Sequence, residues 1–326
     1  MPISGPPFPS QMAGLGLLPS PNPDAIICGV LLVFFVASAA TNMTILQVNL
    51  RRDHKFLFSG LLFGFSMARI SALTMRIVWS TRQTNVSVAI AANIFVGAGV
   101  LLLFIVNLLF AQRIVRALHP QFGWNKTVTY VFRFLLFCVV AMLIMVVTTT
   151  VHSFYTLDAH THDIERKIQL FVGTYLAVLS FLPIPIVIVA QLWPRAARVE
   201  KFGTGSWRTK IRLVLFTSTL LSFGATYRVA VNYMPRPVSD PAWYHSKAAF
   251  YCVNFVIELI VVFTYVITRF DRRFHIPNGS SGPGDYLGRI NKESDVFGSD
   301  SGEDLDESSG SQAELGQAGE KEKEVV

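Results

Sequence analysis

Charge is scarce in this sequence of 326 residues. Asp, Glu, Lys and Arg together make up 15%, against roughly 25% in a soluble globular domain. Such a chain cannot cover a water-facing surface of its size, and its mean hydropathy is +0.45. That shortage excludes a soluble enzyme and a nucleic-acid-binding domain. Cysteine is scarce too. Cys28, Cys138 and Cys252 all fall within apolar runs, which excludes a secreted disulfide scaffold and fits small buried apolar side chains. The last apolar run has no Lys at its middle, only Lys247 at its edge, so a retinal Schiff base has no anchor. There is no Gly-rich phosphate loop, nucleophile elbow or kinase signature. His152 is the only His inside an apolar run, so an intramembrane zinc hydrolase lacks its ligand set. The short cluster Asp158, His160, His162 and Asp163 reads as a solvated loop. No catalytic residue, metal or cofactor is expected.

Apolar runs are what the sequence has in quantity, with 26 Phe among them. Crossing the hydrocarbon core takes about 20 apolar residues. Seven segments qualify: Ala25–Leu50, Phe56–Trp79, Val86–Gln112, Thr129–Ser153, Ile168–Trp193, Arg212–Tyr233 and Ala248–Thr268. In lipid each backbone N–H and C=O needs an internal partner, so these segments are helices. The expectation is an all-α polytopic membrane protein, a seven-helix transmembrane bundle over 25–274.

Basic residues alternate between the loops. The first, third and fifth loops and the segment after the last span carry most of them, for example Arg195, Arg198, Lys201, Arg208 and Lys210 in the fifth. The positive-inside rule then places the N-terminus outside and the C-terminus in the cytoplasm. Residues 1–24, rich in Pro, Ser and Gly, form a short extracellular segment without the pattern of a cleaved signal peptide. The net charge of +7 is uneven: residues 293–326 hold 11 acids and only Lys321 and Lys323. Residues 275–326 read as a disordered acidic cytoplasmic tail. Basic residues that flank spans orient a chain and do not form a nucleic-acid patch, so the expected surroundings are membrane lipids, in the plasma membrane.

Charges inside spans are costly and face the bundle interior or a cavity. The second span has Arg69 and Arg76, two turns apart on one face, about 10 Å along the axis. The sixth has Arg228, with Asn232 one turn on. The seventh has Glu258, the only acid expected well within a span, with Asn254 one turn before it. Two readings stand. In one, Glu258 pairs with Arg69 and the other Arg side chains snorkel outward. In the other, Arg76, Arg228 and Asn232 line an outward-opening cavity for an anionic or polar ligand, such as a lipid headgroup. Asn42, Asn93 and Asn107 are expected to hydrogen-bond between helices. The small-residue stripe Gly60, Gly64 and Ala68 allows close helix approach, and Pro183 and Pro185 are expected to kink the fifth span. Asn85 lies in the one sequon on the outer side, a candidate glycosylation site. Ser301 and Ser311 each precede an acid by three residues, as an acid-directed kinase requires.

Seven spans, a basic fifth loop and an acidic tail match the layout of a G-protein-coupled receptor. The rhodopsin-like residues are absent: the third span ends Phe110-Ala-Gln-Arg113. Through Ser66-Met-Ala-Arg-Ile-Ser71 and Tyr227-Arg-Val-Ala-Val-Asn-Tyr233, the chain resembles a group of fungal seven-span proteins loosely labelled family C-like G-protein-coupled receptors. Its layout is also similar to the RTA-like lipid-translocating exporters. The resemblance implies a receptor-like, non-enzymatic sensor of a small or lipid-like ligand, with a cytoplasmic signalling partner at the fifth loop and tail. The alternative it implies is a transporter or flippase that exports lipids or small amphiphiles.

Overall fold

The computed structural model describes residues 5–9, 12–194 and 199–287. It is 76% helical, and no strand is formed among the described residues. Among the described residues seven helices are long and apolar enough to cross a membrane: α1 (Pro21–Arg51), α2 (Phe58–Thr81), α3 (Val86–Leu118), α4 (Lys126–Ser153), α5 (Ala159–Leu192), α6 (Trp207–Tyr233) and α7 (Lys247–Ile267). The chain is an integral multi-pass membrane protein.

Polar side chains mark where several helices begin. Asn85, Asn125, Asp158 and Ser246 each accept a hydrogen bond from a backbone N–H in the first turn of α3, α4, α5 and α7. Those N–H groups have no partner within the helix, so a side-chain acceptor fixes the start. The Asp158 cap carries α5 well upstream of Ile168, where the apolar run begins. At its other end α5 is interrupted at Leu182, immediately before Pro183, which has no N–H to give. A second interruption falls at Val100 in α3. In α7 the turn Cys252–Val256 widens to π-helical geometry, a form that often sits at functional positions.

The helices pack in sequence order, and α7 closes against α1. α3 is the most interior, with 56% of its apolar window buried, and α4 the most peripheral, with 11%. α4 therefore presents its apolar side chains mainly to lipid. Near the C-terminal end of the bundle Phe56, Phe58, Phe110, Tyr265, Phe270 and Phe274 form an aromatic cluster, with Phe110 and Phe274 stacked at 4.1 Å.

Both terminal segments lie against the bundle. The N–H groups of Phe8, Ala13 and Gly16 donate to the carbonyls of Phe154, Arg236 and His245, so the N-terminal segment crosses one end of the bundle. Residues 275–287, expected in a disordered tail, instead dock at the opposite end. Tyr286 is 2% exposed between Trp124 and Phe202. Asn278 Nδ2 donates to the Asp53 carbonyl at 2.6 Å, and Gly284 N to Glu200 Oε1 at 2.6 Å. The aromatic pocket supplies the apolar burial that composition alone did not reveal. Ser301, Ser311 and the acidic run lie outside the described residues.

Candidate functional site

Polar side chains meet between the helices at three depths. At mid-bundle, Arg69 of α2 donates from Nε to Glu258 Oε2 at 2.5 Å and from Nη2 to Oε1 at 2.8 Å. A planar guanidinium and a carboxylate match in this two-point geometry. Arg69 Nη1 donates to the carbonyls of Val96 (2.7 Å) and Phe95 (3.2 Å). They lie four and five residues before the α3 interruption at Val100, whose N–H turns to the Ala98 carbonyl and not to that of Val96, so the arginine binds α3 where its own ladder lapses. The rings of Phe65 and Phe255 flank the guanidinium at 5.4 and 5.5 Å. Arg228 of α6 completes the group, donating from Nη1 to Asn254 Oδ1 at 3.1 Å and to Glu258 Oε1 at 3.4 Å. One carboxylate thus serves two guanidinium groups on two helices.

Toward the N-terminal end, Arg76 Nη2 donates to Asp24 Oδ1 at 3.2 Å and to the Gly16 carbonyl at 2.6 Å. Lys247 Nζ lies 2.5 Å from Asp24 Oδ2, and Tyr251 Oη donates to Oδ1 at 2.6 Å. This group joins α1, α2 and α7. Toward the C-terminal end, Asn107 Nδ2 donates to Ser218 Oγ at 3.0 Å, and Tyr265 Oη donates to Asn107 Oδ1 and, at 3.0 Å, to Thr217 Oγ1. That group joins α3, α6 and α7.

The expected shared cavity is not formed. Arg76 is 3% exposed and covered by the N-terminal segment. Arg228 turns to the Glu258 group, and Asn232 is exposed at the surface. The reason is a counter-ion that the sequence reading set outside the bundle: Asp24, fully buried, neutralises Arg76. Glu258 is accordingly not alone, and Glu165 is buried as well, against His152 and His162. The surplus of cations in the outer spans was the available signal for a missing acid. Asn93 is exposed and Asn42 bonds within its own helix, so of the three asparagines only Asn107 reaches other helices. Asn85 is exposed and caps α3. Two surface hollows of about 430 and 360 Å³ lie elsewhere, at Val147–Tyr155 and beside Pro6 and Asn85.

Chemically, this is a set of pins. An ion pair or hydrogen bond in low dielectric has a narrow geometric optimum, and removing one buried partner typically costs about 3–5 kcal/mol. The groups therefore favour one arrangement of α2, α6 and α7 and oppose sliding among them.

No curated protein and no solved structure matches the chain, and neither the receptor group nor the exporter family resembled in layout is supported by a match. Residues 206–275, which span α6 and α7 and carry Arg228, Asn254 and Glu258, match a family model described as "Protein of unknown function (DUF3112)".

Proposed function

We propose that the chain is a receptor-like sensor in the plasma membrane, non-enzymatic, with its N-terminus outside and its C-terminus in the cytoplasm. It takes a small or lipid-like ligand at the N-terminal end and signals to a cytoplasmic partner at the fifth loop and the tail. The observation that carries the reading is that α2 and α7 are ion-paired or hydrogen-bonded at two depths, through Arg76–Asp24–Tyr251 and through Arg69–Glu258. A disturbance at the upper group acts on the same two rigid helices that hold the lower one. Glu258 pairs with Arg69 and Arg228 at once, so a shift of α7 at the lower depth acts on α2 and α6 together.

The second reading, an exporter of lipids or small amphiphiles, draws on Arg228, whose side chain remains 19% exposed beside a buried carboxylate. Proteoliposomes separate the two. Spin labels at Leu50, at the C-terminal end of α1, and Arg212, near the N-terminal start of α6, report helix displacement, and a fluorescent-lipid assay in the same vesicles reports flux. The sensor reading expects the label distance to differ between wild type and Glu258→Gln with no flux in either. Flux in the wild type that Glu258→Gln abolishes would replace the sensor with the exporter. For orientation, an epitope placed before Asp24 is expected at the cell surface and a reporter fused after Phe274 in the cytoplasm.

A further inference from the structure

We infer that Arg76, Lys247 and Tyr251 form a binding site for an anionic headgroup, and that Asp24 occupies it from within the chain as a tethered competitor. This rests on the sensor reading for its biological meaning and deepens it by naming the site and the ligand class.

The site is built. Two cations and a phenol converge on one carboxylate: Arg76 Nη2 and Tyr251 Oη on Oδ1, Lys247 Nζ on Oδ2. Ser20 adds its backbone N–H at 2.9 Å and its hydroxyl at 3.3 Å, both to Oδ2. Two cations against one anion leave a positive charge over, in a place with little water. Arg76 Nε is buried and has no hydrogen-bond partner, a donor left over after Asp24 has taken its share. A headgroup with three acceptor oxygens would use it, whereas a two-oxygen carboxylate on a short Asp stem does not reach it. The wall is aromatic: the guanidinium carbon lies 4.3 Å from the Phe250 ring centre and 5.7 Å from that of Trp79. Anionic head and apolar wall together fit an amphiphile that carries a phosphate or a carboxylate.

The cover is built to seat tightly and to leave. Gly16 has φ +87°, and a Cβ there would fall 2.5 Å from Phe250 Cγ, so only glycine lets the chain press onto the ring. Apart from the Asp24 contacts, the cover is held by the same two cations, Arg76 Nη2 on the Gly16 carbonyl and Lys247 Nζ on Ser20 Oγ, both at 2.6 Å, and by Gly16 N to the His245 carbonyl at 3.0 Å, Ala13 N to that of Arg236 at 2.8 Å, and Gln83 Nε2 to that of Pro19 at 2.7 Å. An anion that displaces Asp24 competes for Arg76 and Lys247, the same donors that hold Gly16 and Ser20, and so loosens residues 12–20 from α2 and α7.

The test uses the full chain in lipid nanodiscs with decyl phosphate and decanoate as probes, and decanol and decyltrimethylammonium as neutral and cationic controls. In the wild type, either anion is expected to speed amide exchange across residues 12–20, and the controls are not. Asp24→Asn keeps the shape of the side chain and removes its charge. It is expected to bind the anions tighter by about tenfold or more, with Arg76→Gln in the same background cancelling the gain. The stronger of the two anions identifies the headgroup. Equal effects of decanol, or no exchange response to either anion, overturn the inference. Anion binding that the Arg76→Gln replacement leaves intact overturns it too. If Asp24→Asn does not fold, the wild-type exchange experiment decides alone. Because binding is read without flux or signalling, its failure is separable from failure of the sensor reading.

Discussion

Glu258 holds two guanidinium groups, and the two contacts are unequal. Arg69 meets it at two points, at 2.5 and 2.8 Å, whereas Arg228 reaches one oxygen at 3.4 Å. Glu258→Gln removes the anion and leaves both cations facing each other across an amide. Breaking a buried pair costs about 3–5 kcal/mol in soluble proteins, and less in lipid, where water and snorkelling relax the site. Arg69→Gln is expected to lower the melting temperature about as far as Glu258→Gln does, and the double variant to lose less than the two singles added together. Arg228→Gln is expected to be the mildest, because it also removes a like charge. Equal losses for all three, with additive doubles, would show that the pairs are not coupled. His275 gives a second residue-level prediction. Burial, then neighbouring His54 and Arg113, hold it below its ordinary value of 6.5. The docked segment therefore favours the neutral ring, and its stability is complete above about pH 6.5 and declines as pH falls through the docked value. Amide exchange over 275–287, corrected for its intrinsic pH dependence, is expected to rise between about pH 7 and 5, and His275→Gln to flatten that rise.

Among the helices, α3 shows how one missing side chain makes room for a charge. A Cβ at Gly99 would stand 3.3 Å from Arg69 Cζ and 3.4 Å from Ala68 Cβ, while one at Gly97 would meet nothing within 4 Å. Gly99→Leu is expected to cost about 1–3 kcal/mol, the usual range for overpacking, and Gly97→Leu to stay within about 0.5 kcal/mol, as read by unfolding in nanodiscs. The existence of the seven helices was legible, because lipid leaves the backbone no alternative and the apolar runs are long. Their ends were less so: α5 starts at an Asp cap that hydropathy does not register. Arg69 and Glu258 could be matched because each is a deep charge at similar depth. Which way Arg76 and Arg228 turn could not be read, since depth is a property of one helix and azimuth depends on its neighbours. The Gly60–Gly64 stripe makes the same point, for Gly60 faces Leu46 of α1 and Gly64 faces Leu102 of α3. Asp24 was misplaced because a Pro-rich stretch looks like the end of order, and here the chain leaves extended Asn22 and turns into the helix from Pro23 on.

At the scale of the whole molecule, the two terminal segments close the two ends of the bundle. Removing residues 293–326 is expected to leave the melting temperature unchanged. Removing 275–326 is expected to lower it by several degrees, since fully burying an aromatic side chain such as Tyr286 contributes about 1.5–3 kcal/mol; calorimetry of the two truncations checks both. The mid-bundle ion pair has a further consequence, which concerns time. Arg69 and Glu258 stand 189 residues apart in the chain. At synthesis rates of about 5–20 residues per second, roughly 10–40 s pass between the two. Throughout that interval α2 carries an unmatched cation in or beside the bilayer. Asp24 differs, for its partner Arg76 is only 52 residues later, although Lys247 follows at 223. The mid-bundle pair is therefore expected to close only once α7 has emerged. A chain stalled before its last helix is expected to keep Arg69 without its carboxylate and to be degraded faster than a finished one, which pulse-chase of a chain truncated before Lys247 checks.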